Sequence, residues 1–125
     1  MGNVLLVAAG GAVGAAARHL VGTASLRAFG PGFPYGTLIV NIVGSLAMGL
    51  LVGILAERAS GSEGLRLFLA TGFLGGFTTF SAFSLDFANM WERGDVAAAI
   101  GYAALSVGLA IAGLFAGLAI ARALG

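Results

Sequence analysis

One stretch near the middle of the chain constrains its fold more than any other. It reads Gly72-Phe-Leu-Gly-Gly-Phe-Thr-Thr-Phe-Ser-Ala-Phe-Ser84 and lies inside an apolar segment long enough to cross a bilayer. Each of its glycines lowers helix stability by about 1 kcal/mol relative to alanine, and the hydroxyls of Thr78 and Thr79 can bond to nearby backbone. The stretch therefore predicts a membrane-spanning helix that breaks near residues 75–79. Irregular backbone at that depth persists only where it is buried in protein or lines a wet cavity.

The composition places the whole chain in a membrane. Of its 125 residues, 59% are hydrophobic and 9% are charged, and the mean hydropathy is +1.04. A bilayer core of about 30 Å needs roughly 20 apolar residues per helix. We therefore predict a single all-α membrane domain with four transmembrane helices at about 3–21, 35–56, 65–91 and 96–121. One such domain is too thin to enclose a water-filled path by itself, which favours an oligomer.

Several functional classes are excluded by what the chain lacks. It has no cysteine and one histidine, so thiolate chemistry and His/Cys zinc sites are absent. His19 is therefore interpreted as an interfacial residue and not as a metal ligand. Six arginines, no lysine and five acids leave a formal charge of +1 without a basic run that could bind nucleic acid. An enzyme is the least favoured class, because the chain also lacks a close carboxylate pair.

A few polar residues fall at membrane depth, and each is a functional candidate. Thr37, Asn41 and Ser45 recur at i, i+4 and i+8 on one stripe of the second helix. Asn41 must bond to another helix or face a polar path, because an unpaired buried amide costs several kcal/mol. Arg18 ends the first crossing and either snorkels to the interface or lines a positively charged vestibule. Asp86 is the one acid deep in an apolar segment, which makes it a candidate by default.

Phenylalanines follow the predicted break at helical spacing. Phe77, Phe80, Phe83 and Phe87 are expected to share one broad helical face with Ser84. Such a stripe is more often packing than a binding surface. The edge of a phenyl ring is electropositive, however, and can face a small anion. The spacing alone favours packing.

Glycine pairs four residues apart predict close helix contacts in lipid. The first crossing carries Gly10 and Gly14, the second carries Gly49 and Gly53, and the fourth carries Gly113 and Gly117. We expect each pair to lie against the backbone of a neighbouring helix.

The arginines give no orientation signal. With four crossings, each side of the membrane receives three of them. Arg58, Arg66 and Arg122 lie on the side of the N-terminus, and Arg18, Arg27 and Arg93 lie on the other side. The positive-inside rule therefore has no difference to act on, and the chain is expected to insert in both directions. Two oppositely inserted copies could pair about an axis in the membrane plane.

Three stretches resemble the Fluc/CrcB fluoride ion channel family. They are Gly10-Gly-Ala-Val-Gly-Ala-Ala-Ala-Arg18, Tyr35-Gly-Thr-Leu-Ile-Val-Asn-Ile-Val-Gly44, and the central Gly72–Ser84 stretch, which is the most specific. The resemblance implies a multi-pass protein of the bacterial inner membrane that exports fluoride passively and so lowers its toxicity. It also implies an antiparallel, dual-topology homodimer with two pores and a central structural sodium ion.

The resemblance also assigns roles to individual residues. It implies that Phe80 and Phe83 line the fluoride pore and that the backbone carbonyls of Gly75 and Thr78 from both subunits hold the Na⁺. The further pore residues that it implies are polar: Asn41, Thr79, Tyr102 and Ser106. Two positions depart from the family pattern, namely Ala110, where the polar track of the fourth helix would continue, and Ala82, where threonine is common.

Two other membrane functions fit the sequence less well. A small multidrug or guanidinium exporter needs a carboxylate in its first helix for proton exchange, and residues 3–17 contain none. A non-transporting membrane subunit would not need Asn41, Thr78 and Thr79 deep in the bilayer.

Overall fold

The computed structural model describes residues 2–58 and 63–125, all of which belong to helices or short connections. Three long helices are α1 (Gly2–Phe29), α2 (Tyr35–Arg58) and α6 (Val96–Leu124). Together with a third, interrupted crossing at Glu63–Glu92, they make four helical segments long and apolar enough to span a membrane. The prediction of an all-α protein with four crossings is confirmed. The second crossing, predicted to end at residue 56, continues to Arg58, and residues 59–62 of the connection that follows lie outside the described residues.

The third crossing is built from four helical pieces. α3 (Glu63–Arg66) leads into a π-helical segment (Leu67–Leu74), α4 (Gly75–Phe77) follows, and α5 (Phe80–Glu92) completes the crossing. Between α4 and α5, Thr78 (φ −87°, ψ 159°) and Thr79 (φ −155°, ψ 124°) are extended. The broken third helix is therefore as predicted, with the break at the two threonines. The π-helical segment before it was not predicted.

The first helix is longer than its sequence suggested. We expected α1 to end near Val21 and a loop to begin at Gly22, but the helix continues to Phe29. Ser25 is buried on this extension, so packing against α2 supports the added turns. The helix ends at Gly30, which adopts φ +77° and donates its N–H to the Leu26 carbonyl at 2.8 Å. A left-handed glycine with such a bond is a common helix C-terminus.

The phenylalanines do not all share one face. Phe77 belongs to α4, before the break, where it is buried and stacks on Phe73 with ring centroids 6.1 Å apart. Phe80 and Phe83 lie on α5, after the break, with centroids 5.5 Å apart. The expectation that Phe77 joins the later rings was wrong, because the extended threonines redirect the chain between them.

The glycine pairs allow helix backbones to touch, as predicted. A Cβ added at Gly14 on α1 would overlap the Phe73 carbonyl oxygen of the π-helical segment, and one at Gly76 would lie 2.6 Å from the Gly11 carbonyl oxygen. A Cβ at Gly117 on α6 would overlap the Leu46 carbonyl oxygen of α2. Without a hydrophobic driving force in lipid, such close van der Waals packing holds helices together.

We expect Gly117→Ala to lower the thermal unfolding midpoint of the protein in detergent, because the new methyl group must push α2 and α6 apart. Overpacking of this kind costs about 1–3 kcal/mol. Gly108→Ala is the matched control, since it lies on the same helix and a Cβ there meets no atom within 4 Å. Both changes raise intrinsic helix propensity equally. A Gly117→Ala midpoint equal to that of Gly108→Ala would show that the contact does not constrain the two helices.

Candidate functional site at the helix break

The break is held by the side chain of Asn41 on α2. Its Oδ1 accepts the Thr79 backbone N–H at 2.8 Å, and its Nδ2 donates to the Thr79 carbonyl at 3.0 Å. The amide thus pairs with both backbone groups of one extended residue, much as a neighbouring β-strand would. The prediction that Asn41 must bond to another helix or face a polar path is confirmed in its first part.

Arg18 reaches the same region from α1. Its Nε donates to the Gly76 carbonyl at 3.1 Å, and the residue is partly buried. The guanidinium therefore does not only extend toward the interface, because it donates a hydrogen bond to a backbone carbonyl in the turn just before the break. Arg18 also lines a cavity of about 350 Å³ with His19, Thr37 and Thr79.

Two carbonyls at the break lose their helical donors to side chains. In an α-helix the carbonyl of residue i accepts the N–H of residue i+4. The partner of Gly75 would be the Thr79 N–H, which donates to Asn41 instead. The partner of Thr78 would be the Ala82 N–H, which donates to Thr79 Oγ1 at 3.1 Å. Hard cations such as Na⁺ are bound by oxygen ligands of this type, so the residues predicted to hold sodium are chemically suitable.

Side-chain metal clusters were not found in the part of the chain that the structure describes. Across 2–58 and 63–125, no group of three or more His, Cys, Asp or Glu side chains lies close enough to hold a metal ion.

A second cavity, of about 300 Å³, lies between α2, α5 and α6. Six of the residues predicted for the pore or the cation site line it: Asn41, Thr78, Thr79, Phe80, Phe83 and Ser106. Ser106 is only 6% exposed, and its Oγ has no hydrogen-bond partner among the described residues. A buried hydroxyl without a partner is uncommon and calls for an explanation such as a missing ligand or water.

The cavity wall beyond Ser106 is apolar. Val107, Ala110 and Leu114 continue it along α6. Ala110 is the position where the resemblance would have placed a further hydroxyl, so the departure noted in the sequence falls inside this cavity. Thr79 borders this cavity and also the one next to Arg18, which places the break between the two.

Tyr102 is buried but is absent from the lining of the Ser106 cavity. Its hydroxyl donates to Asp86 Oδ2 at 3.0 Å. Its ring contacts Phe83 with centroids 5.1 Å apart and meets Phe33 edge-on at 5.4 Å. The structure therefore joins Tyr102 to the predicted pore through the Phe83 ring, while its hydroxyl points to an acid.

Asp86 also faces a third cavity, of about 330 Å³, at the end of the molecule where α1 and α2 meet. Asn89 and Arg93 share its lining. Arg93 pairs with Asp95 at 2.7 Å and donates to the Gly32 carbonyl at 2.9 Å. Asp86 therefore lies in a polar setting and has a defined hydrogen-bond partner, Tyr102.

Two features of the site were not found by sequence reasoning. The pairing of Asn41 with Thr79 spans 38 positions along the chain, so no local spacing reveals it. The second is the proximity of Thr79 Oγ1 to Ser81 Oγ, at 3.3 Å. The position of Ser81 in the first turn after a threonine N-cap was an available signal for that contact.

Comparison with known proteins found relatives that match this chain over nearly its whole length. A protein from Mesorhizobium japonicum named "Fluoride-specific ion channel FluC" is 59% identical over 124 residues, covering 99% of both chains. A protein of the same name from Chelativorans sp. is 56% identical over 124 residues, again covering 99% of both. A third, from Cereibacter sphaeroides, is 55% identical over 120 residues, covering 96% of this chain and 94% of its own.

These relatives are named as ion channels and not as enzymes. The four spanning helices and these bacterial relatives identify a multi-pass bacterial membrane protein. The family model described as "CrcB-like protein, Camphor Resistance (CrcB)" matches residues 5–118. With a family model across most of the chain and relatives more than half identical over nearly all of it, the chain belongs to the CrcB family.

Proposed function

We propose that this protein is a fluoride-selective channel that allows passive export of fluoride and so reduces its toxicity in the cytoplasm. The observation that carries the proposal is the buried, unpartnered Ser106 hydroxyl, which lines one cavity with the rings of Phe80 and Phe83. The names of the relatives support fluoride as the transported ion.

Fluoride is small and strongly hydrated, so a pore must replace its water with donors and electropositive edges. In the proposed pathway the Ser106 and Thr79 hydroxyls and the second Nδ2 hydrogen of Asn41 are the donors. The ring edges of Phe80 and Phe83 supply the positive side of the phenyl quadrupole. Several moderate sites in series allow both entry and exit. Tyr102, whose ring contacts Phe83, completes the set as the support of that ring.

Arg18 belongs to the entrance in this proposal. The cavity that it lines and the Ser106 cavity share Thr79 as a lining residue, so in the proposed pathway an anion passes from a positively charged vestibule to the Ser106 cavity by way of Thr79. A cationic side chain there raises the local concentration of anions. Efflux then needs no energy source, because an inside-negative membrane drives an anion outward by about 2.3 kcal/mol per 100 mV.

The working unit is an antiparallel homodimer with two such pathways. Phe80 is 75% exposed on the single chain and lies directly after the break in the third crossing. A second copy in the opposite orientation would cover this ring and complete the wall of the pathway. The equal division of arginines supports insertion in both directions. Single-molecule labelling that found every N-terminus on one side of the membrane would refute this part of the proposal.

A Na⁺ ion at the dimer centre would be held by the carbonyls of Gly75 and Thr78 from both copies. These are the carbonyls whose helical donors are taken by Asn41 and Thr79, and Gly75 is exposed on the single chain, where a partner copy could reach it. Bound there, the ion would supply a fixed positive charge that stabilises the two broken helices.

Growth under fluoride stress tests the proposal in cells. In a bacterial strain without its own fluoride exporter, expression of this chain is expected to restore growth at a fluoride concentration that stops the control strain. Cells carrying an empty vector are the negative control. Equal sensitivity of both strains, with the protein present in the membrane, would contradict the proposed export.

We expect Ser106→Ala to lower fluoride flux while leaving the fold intact or more stable. Burying a hydroxyl without a partner costs about 1–3 kcal/mol, so its removal should not reduce the thermal unfolding midpoint. Flux should fall by about tenfold, the equivalent of one weak hydrogen bond to the ion. Electrode-monitored efflux and thermal unfolding of the same preparation give both values. A variant with reduced stability and normal flux would assign Ser106 to packing alone.

A further inference from the structure

The hydrogen bonds at the break follow a pattern that the pore assignment does not explain. Of the successive carbonyls before α5, that of Leu74 keeps its helical donor, the Thr78 N–H, at 3.0 Å, and also accepts from Thr78 Oγ1 at 3.0 Å. The carbonyl of Gly76 receives a charged donor, Arg18 Nε. The carbonyls of Gly75 and Thr78 differ from these two, because the backbone N–H groups that would bond to them in a continuous helix donate to side chains instead.

Asn41 accepts the N–H group that would otherwise bond to the Gly75 carbonyl. Its Oδ1 holds the Thr79 N–H, which would otherwise close onto the Gly75 carbonyl and continue α4. Its Nδ2 holds the Thr79 carbonyl, so the extended conformation of Thr79 is fixed from both sides. Thr79 in turn offers its Oγ1 to the Ala82 N–H, which leaves the Thr78 carbonyl without its helical donor.

We infer that Asn41 is a positioning residue for the cation site, acting through Thr79, in addition to lining the fluoride path. This inference rests on the proposed function, because it assumes that the freed carbonyls hold Na⁺. Two hydrogen-bonded side chains keep the electron density of the Gly75 and Thr78 carbonyls available to the cation. Loss of either one lets a backbone N–H compete with the cation for the same oxygen.

The arrangement couples the two ions through one side chain. The amide of Asn41 borders the Ser106 cavity and at the same time sets the backbone at the break. Ordering of the break by a cation therefore also fixes the Asn41 donor that faces the anion path. A residue that served only the anion path would leave cation binding unchanged when it is replaced, and this difference allows a direct test.

The test measures sodium binding to the purified full-length protein in fluoride-free detergent solution. Thermal unfolding midpoints are recorded as NaCl replaces N-methylglucamine chloride at constant ionic strength, and equilibrium binding of radioactive sodium is measured in parallel. A ligand that binds the native state raises its stability in proportion to RT ln(1 + [L]/Kd). We expect Asn41→Ala to raise the half-saturating Na⁺ concentration at least tenfold over the unsubstituted protein.

Ser45→Ala is the matched control for Asn41→Ala. Ser45 lies one turn further along the same helix and lines the same cavity, but no hydrogen bond joins it to the break among the described residues. Its half-saturating Na⁺ concentration should stay within about twofold of the unsubstituted value. An unchanged sodium response in Asn41→Ala would overturn the inference and leave Asn41 in the fluoride path alone.

Thr79 supplies a second test that does not depend on Asn41→Ala folding. Thr79→Val removes the hydroxyl that holds the Ala82 N–H but keeps the backbone groups that pair with Asn41, so sodium binding should weaken. Thr79→Ser restores the hydroxyl and should restore the binding. Equal sodium affinity in both variants would overturn the inference. Failure of the proposed function is recognised separately, because the unsubstituted protein would then show no fluoride flux or no response to sodium.

Discussion

Replacing Phe83 or Phe80 with isoleucine is expected to abolish fluoride flux or reduce it about a hundredfold. Isoleucine is apolar and fills a comparable space, but it has no electropositive ring edge to replace the water lost by the anion. Phe83 also packs on the Tyr102 ring, so the Phe83 variant will be somewhat less stable as well. Phe80 is largely exposed on the single chain, so its variant should fold normally, and the fraction of dimer in the preparation is measured because the proposed partner copy covers this ring.

Phe115→Ile is the matched control for these two changes. Phe115 lies on α6, is 63% exposed, and takes part in none of the ring contacts found among the described residues. Its replacement should leave fluoride efflux from proteoliposomes unchanged. Unreduced flux in both the Phe80 and the Phe83 variants would refute the assignment of these rings to the pore.

The second large effect is expected from Arg18. Arg18→Leu removes the positive charge from the proposed vestibule and the Nε donor from the Gly76 carbonyl, and fluoride flux should fall at least thirtyfold. A carbonyl left without its donor costs about 1–3 kcal/mol, and loss of the charge lowers the local anion concentration. Arg18→Lys keeps the charge without the planar donor geometry, so its flux should lie between that of Arg18→Leu and that of the unsubstituted protein.

Arg27→Leu is the control for the loss of charge. Arg27 lies on the same helix and on the exposed part of its last turn, so its removal changes the arginine balance across the membrane by the same amount. Its flux should remain normal if Arg18 acts at the vestibule and the break. Equal losses in the Arg18 and Arg27 variants would instead point to an effect on membrane insertion.

Much of the fold could be predicted because membrane helices depend on local signals. Hydropathy and length located the four crossings, and the glycines with the paired threonines located the break. The end of α1 was placed too early because Arg18 and His19 were taken as its boundary. The better signal was Gly30, which the sequence also showed, since a left-handed glycine ends the helix there.

The remaining features depend on contacts that no local pattern contains. The π-helical segment at Leu67–Leu74 packs against α1, where Gly10 lets the two backbones approach. Phe77 was assigned to the wrong face because a helical count was carried through residues that are extended. The bonds from Asn41 to Thr79 join separate crossings, so the sequence indicated only that Asn41 needed a partner.

The central claim is that this chain conducts fluoride selectively without an energy source. The direct measurement is efflux from proteoliposomes that contain the purified protein and equal loads of fluoride and chloride, followed with ion-selective electrodes after the membrane is made permeable to K⁺. The account predicts rapid loss of fluoride with chloride retained. Release of both ions at similar rates, or retention of fluoride at the level of protein-free liposomes, would contradict it.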